Sequence, residues 1–580
     1  MRQPKLLIIG NVSKSGKNKL NKFTDCIYSK YGNDYDLVIT LDNEIPPETT
    51  KPVIKMLNED QLLSSLEELV EIFIKNIIKK DETLISIFTS SYKSKHRIYR
   101  PLNSLLNQTY KNWEWIIVDD TCEDDNWQLL TKVKSKDPNR IRIYRSDKNS
   151  GKIGEMKQFA SNLARGTIVV ELDHDDDIVP ETLQWIKEAF DSYPDCGFVY
   201  SDFSEIYEEN GENFSYGDNF RYGYAGYRKE LYKEKWINVC SSCNINYHTM
   251  TYITGVPNHI RCWRKSTLQE IGGYNHNLHV ADDYEILLRT FFHTKMLRIP
   301  RLCYIQYRNA GGNNFTFIRN EDIQKLTRNL SKVYDNQIRK RCMEFNCYEF
   351  EEPIVDYNYT HKHHNHFNEI YRPNKDLISI VISTYNRPEL LKKAIKSVFE
   401  QTYKNYELII VGDKCPILDK FMEKNKDNRI KWWNLGENMN DGGAGPKNYA
   451  LKYICEGNFI AYLDDDNYWE NNHLESLFKL FDDDTQYTFS SFVSGEYKIK
   501  FKEPKKYRID TSCVLHRREL LEKYGYWKKQ QDVGYANDWD LFSRWNNEKW
   551  KASELFTLNY NNNDSVQNIK LIYEYYNDQD

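Results

Sequence analysis

Two short acidic runs hold the residues of this chain best suited to chemistry. The first, ELDHDDD (Glu171 to Asp177), follows the apolar run Ile168 to Val170. The second, FIAYLDDDN (Phe459 to Asn467), repeats the pattern, with Asp464 and Asp466 in the places of Asp173 and Asp175. Carboxylates crowded this closely repel one another, and a divalent cation among them removes the conflict. Hard oxygen ligands suit Mg²⁺ or Mn²⁺, so Asp173, Asp175, Asp464 and Asp466 are expected as metal ligands. The competing reading is a helix start, where acids favour the dipole. A second type of acid stands in ADDYEI, with Asp282 and Asp283, and in NDWDLF, with Asp538. Each opens an amphipathic helical pattern. Acids there are common caps, and a carboxylate so placed can also accept a proton from a reacting hydroxyl.

An apolar run that ends abruptly in acids reads as a buried parallel strand delivering carboxylates to its C-terminal edge, where open α/β sheets bind ligands. The residues before it supply the rest of such a sheet. Strands are expected over 84–90, 113–118 and 141–145, with helices over about 97–107, 127–135 and 155–164 between them. Strand and helix alternating at this spacing require a mostly parallel sheet with right-handed crossovers. The same series then recurs. LISIFTSSY returns as LISIVISTY and QTYKNWEWIIVDD as QTYKNYELIIVGD, both 293 residues on (Leu84 to Leu377, Gln108 to Gln401), and Asp173 recurs 291 residues on at Asp464. The chain is an internal duplication. The later part of the copy is shorter, with 74 residues from Asp464 to Asp538 against 110 from Asp173 to Asp283. What the copy lacks is an aromatic, glycine-containing stretch, Phe214 to Trp236, readable as a sugar-lining groove or as a solvated or packed loop.

With 580 residues the chain has room for several cores, and the repeat assigns two large units plus an extension. The expected division is a small α/β extension over 1–80, a first large domain over 81–345, a linker over 346–373 and a second large domain over 374–580. Eighty basic against 85 acidic residues give a formal net charge of -5, which argues against nucleic acid as a partner. Neither an 18-residue apolar run nor a signal peptide is present in the sequence, so a cytoplasmic protein is expected, one that could work beside a membrane carrying its acceptor. The twelve cysteines have no zinc-finger spacing and read as reduced structural thiols. NVSKSGKNK near the N-terminus has the wrong spacing and the wrong metal-ligand residue for a phosphate loop. Residues 59–80 show an amphipathic helical stripe. HKHHNH (His361 to His366) reads as part of a solvated linker rather than a zinc site.

Taken together these motifs resemble the family 2 glycosyltransferases, inverting enzymes of the GT-A fold that move a sugar from a nucleotide diphosphate donor. The resemblance implies an α/β protein with two tandem GT-A domains. It places a nucleobase pocket at Ser90, Tyr92 and Asp120, and again at Ser383, Thr384, Tyr385, Asn386 and Asp413, with Gly412 standing where the first copy has Asp119. It makes Asp173, Asp175, Asp464 and Asp466 the ligands of ribose and of the metal-bound diphosphate, with Lys157 and Lys447 assisting the phosphates. It makes Asp283 and Asp538 the catalytic bases, although Asn537 replaces the acid that usually precedes the second. The chain departs from many relatives in having no His in YRNAGGNNFT (Tyr307 to Thr316) or YNNNDSVQ (Tyr560 to Gln567), where the family often completes the metal shell.

Two such units in one chain resemble the layout of the bacterial chondroitin and hyaluronan polymerases. The expected function is bifunctional inverting transfer from nucleotide-diphosphate sugars, a UDP-sugar above all, to hydroxyls of a growing glycan or glycoconjugate. The runner-up has only the first domain catalytic and the second binding donor or acceptor. A non-catalytic carbohydrate-binding scaffold is the rival from another class. It has no need to keep both acid sets twice.

Overall fold

The computed structural model describes residues 83–216, 225–253, 256–309, 319–347, 366–505, 509–534 and 536–561, and four short strands before residue 83. The chain divides into two compact units, Met1–Thr83 and Leu84–Asp580. In the smaller unit Asp25–Ile27, Lys5–Ile9, Leu37–Thr40 and Val53–Lys55 lie side by side in that order, all parallel. KLLIIG and DLVITL thus supply strands, as their apolar content suggests. The expected helix over 59–80 and the NVSKSGKNK loop lie outside the described residues.

The larger unit contains one sheet pattern twice. In the first half the order is Ile141–Arg145, Trp113–Asp119, Ile85–Ser91, Ile168–Glu171, Arg261–Arg264, Cys196–Tyr207 and Lys295–Arg308. The first four strands are parallel, Arg261–Arg264 is antiparallel to both neighbours, and the last two are parallel to each other. The second half repeats order and sense with Ile430–Asn434, Tyr406–Gly412, Ile378–Thr384, Phe459–Tyr462, Val514–Arg517, Tyr487–Ser494 and Trp550–Asn559. This is the mixed sheet of the GT-A fold, present twice. Its central strands are buried at every position, as in WEWIIVD and YELIIVG, because helices cover both faces. The helix Tyr99–Leu106 turns Pro101, Leu102 and Leu105 inward, and its counterpart Pro388–Phe399 starts on the proline that presets the first turn.

Of the aromatic stretch that the second half lacks, residues 217–224 lie outside the described residues, and the part from Gly226 on is packed. Gly226–Tyr232 and Lys235–Ser241 form an antiparallel hairpin. One arm pairs with Cys196–Tyr207, and the other meets the edge strand of the second half at Lys229 opposite Trp432. The Tyr227 and Trp433 rings stack with centroids 5.6 Å apart, and Trp236 meets Trp432 edge-on at 5.9 Å. The Tyr449 hydroxyl accepts from Tyr227 N at 2.7 Å and donates to Tyr227 O at 2.8 Å. Gly226 is required where the halves approach most closely, since a Cβ there would lie 2.6 Å from the Tyr453 ring. An edge strand that would otherwise offer unpaired amides is covered in this way.

The end of the expected solvated linker is packed as well. Phe367 is buried and its amide donates to Ile245 O at 2.7 Å, while Glu369–Ile370 pairs with Leu297–Arg298. His366 is half-buried with Nδ1 2.7 Å from Asn368 O, so it is not a solvated linker residue; His361, His363 and His364 lie outside the described residues. The helix Asn320–Glu344 precedes this connection. Among the described residues no helix is long and apolar enough to cross a membrane.

Candidate active sites

The first acidic run sorts its carboxylates into engaged and free. Asp176 is buried and accepts from the Tyr304 hydroxyl at 2.7 Å and from Tyr307 N at 2.8 Å. Asp177 is buried against the Tyr307 hydroxyl at 3.1 Å and Lys233 at 3.3 Å. Asp173 and Asp175 are half-buried, and their carboxylates accept no hydrogen bond from any described residue. These are the two acids expected to hold a cation. Burial, reinforced by Glu171 and Asp175 and opposed by Lys157, pushes the Asp173 carboxyl up to about 6.

Behind this edge lies a charged network that ties the strand to the helix bearing the second type of acid. Glu171 accepts from the Tyr274 hydroxyl at 2.6 Å and faces Lys157 Nζ at 2.7 Å and Arg261 Nη1 at 3.2 Å. Lys157 also reaches Asp282 at 3.4 Å, and Arg261 Nη2 reaches Asp283 at 3.0 Å. Burial disfavours the Glu171 anion, yet Lys157 and Arg261 hold its carboxyl well below the usual carboxylate range. The Asp282 side chain is 8% exposed and Asp283 38%, so of this pair only Asp283 is open to a ligand. Lys157, proposed from sequence as a phosphate ligand, is spent on this buried network.

The second site is built alike and charged differently. Lys447 Nζ lies 3.3 Å from Asp464, and Ser512 Oγ accepts from Asp464 N at 3.1 Å. Arg387 pairs with Asp465 at 3.2 Å and Asp466 at 2.8 Å. Thr384, expected at the base pocket, donates instead to Asp465 at 2.7 Å. Burial raises the Asp538 and Asp466 carboxyls, and together with Asp464 it pushes Asp510 up to about 8. In the strand pairing Tyr462 and Val514 occupy the places of Glu171 and Arg261, so the Glu171–Arg261 pair of the first site has no counterpart here among the described residues.

The helix-start acids share a construction. Asp283 accepts from Tyr284 N at 2.8 Å and Asp538 from Trp539 N at 2.6 Å. Two turns on, Arg289 pairs with Glu285 and donates to Ile271 O, while Arg544 pairs with Asp540 and donates to Tyr524 O and Tyr526 O. Asn537 therefore alters the acid pair without altering the helix that carries Asp538.

The expected base-pocket acids organise their own loops. Asp120 accepts from Ser150 N at 2.9 Å, Ser146 Oγ at 3.0 Å and Ser150 Oγ at 2.9 Å; Asp413 accepts from Met439 N at 2.7 Å and Asn440 N at 3.2 Å. Ser90 and Tyr92 are half-buried beside the first, and Tyr385 is exposed beside the second. Gly412 is compensated by a neighbour. A Cβ there would lie 2.5 Å from Asn434 Oδ1, and Asn434 binds Cys415 N at 2.8 Å and Cys415 O at 2.9 Å.

Among the described residues no three His, Cys, Asp or Glu side chains are gathered as a metal cage. The free, crowded carboxylates of Asp173 and Asp175 nevertheless suit a hard cation. At the second site Arg387 occupies the charge that a cation would take from Asp466. Sequence reasoning missed Glu171, Arg261, Arg387 and Asp510 as site residues. Charges inside otherwise apolar strand runs, such as the glutamate of IVVE and the first arginine of RCWR, were the signal for the first two.

The glycosyl transferase family 2 model matches residues 86–249 and 379–543, together more than half of the chain. An uncharacterized glycosyltransferase of Rickettsia bellii is 24% identical over 434 residues, covering 71% of this chain and 58% of that protein. The chondroitin synthase of Pasteurella multocida is 25% identical over 337 residues, covering 57% of this chain and 32% of that protein. The chain thus spans a third to somewhat over half the length of these relatives. Among solved structures, S. aureus TarS 1-349 in complex with UDP-GlcNAc aligns with 17% identity and a TM-score of 0.35, over 45% of this chain and 71% of that one. With the acid-edged sheet and the family pattern each present twice, the chain belongs to glycosyl transferase family 2.

Proposed function

We propose that each half is an inverting transfer site that moves a sugar from a nucleotide-diphosphate donor to a hydroxyl of a growing glycan. The observation that carries this reading is the separation of roles at the first acidic edge. Asp176 and Asp177 are engaged by the protein, while the half-buried carboxylates of Asp173 and Asp175 accept no hydrogen bond from a described residue. There they would hold Mn²⁺ or Mg²⁺, which neutralises charge developing on the diphosphate leaving group. Asp283, held by Arg261 and open to a ligand, is placed to take the acceptor hydroxyl proton as that oxygen bonds to the anomeric carbon. The bond from that carbon to the diphosphate breaks as the new one forms, on the opposite face. Asp538 does the same in the second half, with Asp464 and Asp466 as the cation ligands. Asp120 and Asp413 shape the loops beside the nucleobase.

The two sites differ in charge, Glu171 and Arg261 against Tyr462 and Val514, which supports two different donors. The chondroitin synthases among the relatives support a glycan as the product. A UDP-sugar is the donor class proposed, with a glycan or glycoconjugate as acceptor, and with the chain working from the cytoplasmic side of a membrane that carries it. A second reading, with only the first half active, is favoured by Arg387 sitting on Asp465 and Asp466. Replacing Asp175 by Asn and, separately, Asp466 by Asn tests both readings through Mn²⁺-dependent hydrolysis of a nucleotide-sugar panel. Each variant loses one donor activity if both sites work; an unaffected Asp466→Asn protein establishes the second reading.

A further inference from the structure

Away from both acidic edges, a cavity of about 100 Å³ lies between the two halves of the larger unit. Its wall carries Arg298 from the last long strand of the first half, Arg372 from the connection, and Arg518 from the second half. Among the described residues Glu522 is the one carboxylate on that wall. The guanidiniums are unevenly satisfied. Arg298 pairs with Asp202 at 2.9 Å, but Arg228 claims the same carboxylate at 2.6 Å, and the buried Nε of Arg298 has no hydrogen-bond partner among the described residues. Arg298 is 7% exposed. Arg518 is buried and spends its donors on backbone carbonyls, Gly457 O at 2.7 Å, Leu451 O at 3.2 Å and Cys455 O at 3.0 Å, with no acid within ion-pair distance among the described residues. Arg372 has neither an ion pair nor a side-chain hydrogen bond to a described residue, and its Nε is buried. Burial, with Arg518 and Arg298 close by, brings its guanidinium down to about 10.

Three guanidiniums and Lys452 around an enclosed space, two of the guanidiniums with an orphaned N–H donor, are costly unless an anion joins them. Planar guanidinium forks match the oxygen pairs of a tetrahedral oxyanion. We infer that this cavity is a binding site for one phosphate-sized oxyanion, held by Arg298, Arg372 and Arg518 and joining the two halves. It uses none of the acids assigned to transfer. The charge can come from free phosphate or from a phosphoryl group on a larger molecule.

The full chain, freed of divalent cation by chelation so that the acidic edges hold no phosphate, is titrated with orthophosphate and, in parallel, with glucose 1-phosphate. Sodium chloride of matched ionic strength is the control, and melting temperature is the readout. A saturable rise of about 2–4 °C with orthophosphate is expected, absent with chloride. Saturation by orthophosphate alone assigns the site to the free ion, and saturation by the sugar phosphate as well assigns it to an esterified group; both support it. Arg372→Gln should abolish the rise and, having shed an unpaired charge, melt no lower than wild type in phosphate-free buffer. A rise equal to that in chloride, or one that survives in Arg372→Gln, overturns the inference. Should the variant fail to fold, the wild-type comparison of orthophosphate with chloride still decides.

Discussion

At the scale of single residues, the acids of the first edge are in conflict with one another, and their behaviour with pH follows. Asp173 ionises only near pH 6 in the folded chain, above the roughly 3.9 of an unfolded aspartate. A raised folded value means that the folded state binds the proton more tightly. The associated stability is complete below about pH 4 and is lost as pH rises through 6. A cation that replaces the proton restores it. Mn²⁺ is therefore expected to raise the melting temperature more at pH 7.5 than at pH 5.5, and Asp173→Asn to remove that difference in a calorimetric series. The Glu171 network makes the opposite demand. Removing Arg261 as Arg261→Leu leaves Glu171 with only Lys157 and the Tyr274 hydroxyl and takes the ion pair from Asp283, and should cost about 3–5 kcal/mol in denaturant unfolding. A cost below about 1 kcal/mol would show that Arg261 does not hold the buried network together.

At the scale of elements, Gly412 shows how the two copies diverged without losing the strand. In the first half Asp119 lies opposite Arg145; in the second Gly412 lies opposite Asn434, whose amide fills the space. Gly412→Asp alone should destabilise by about 1–3 kcal/mol through overpacking, and Gly412→Asp with Asn434→Arg should recover most of it. Melting curves of the three proteins check this. Strands and helices around these positions were legible in sequence, because two-sided burial writes apolar runs such as WEWIIV and amphipathic helices write their own period. The acidic edges and the helix-start acids were legible through repetition. Partners that act across the sheet were not. Thr384 turned to Asp465 because the chain folds that acid back toward the opening strand, and nothing in the spacing of ISTYN records it. Arg387 meets Asp466 across 79 residues for the same reason.

At the scale of the whole molecule, the insertion present only in the first half makes the two halves one body. Its aromatic rings read equally as groove or packing in sequence, since composition does not say which surface a hairpin meets. In the structure Trp236 covers Trp432, and its Nε1 donates to Met422 O at 3.1 Å. Beneath it Arg301 pairs with Glu456 at 2.7 Å, and Lys431 is held by Glu407 at 2.8 Å and by Glu456. Trp236→Ala should cost about 3–5 kcal/mol and separate a joint unfolding transition of the halves into two. An unchanged transition would remove the hairpin from this role.

The claim that joins these scales is that the duplicated acids serve two active sites. Its most direct measurement is transfer and hydrolysis across a panel of nucleotide sugars with Mn²⁺, comparing wild type with Asp283→Asn and Asp538→Asn. Two working sites require each substitution to lower kcat for a different donor by about 10²- to 10⁴-fold while leaving the other donor untouched. Loss of all activity in Asp283→Asn with none in Asp538→Asn would contradict it and leave a single transferase whose second half binds.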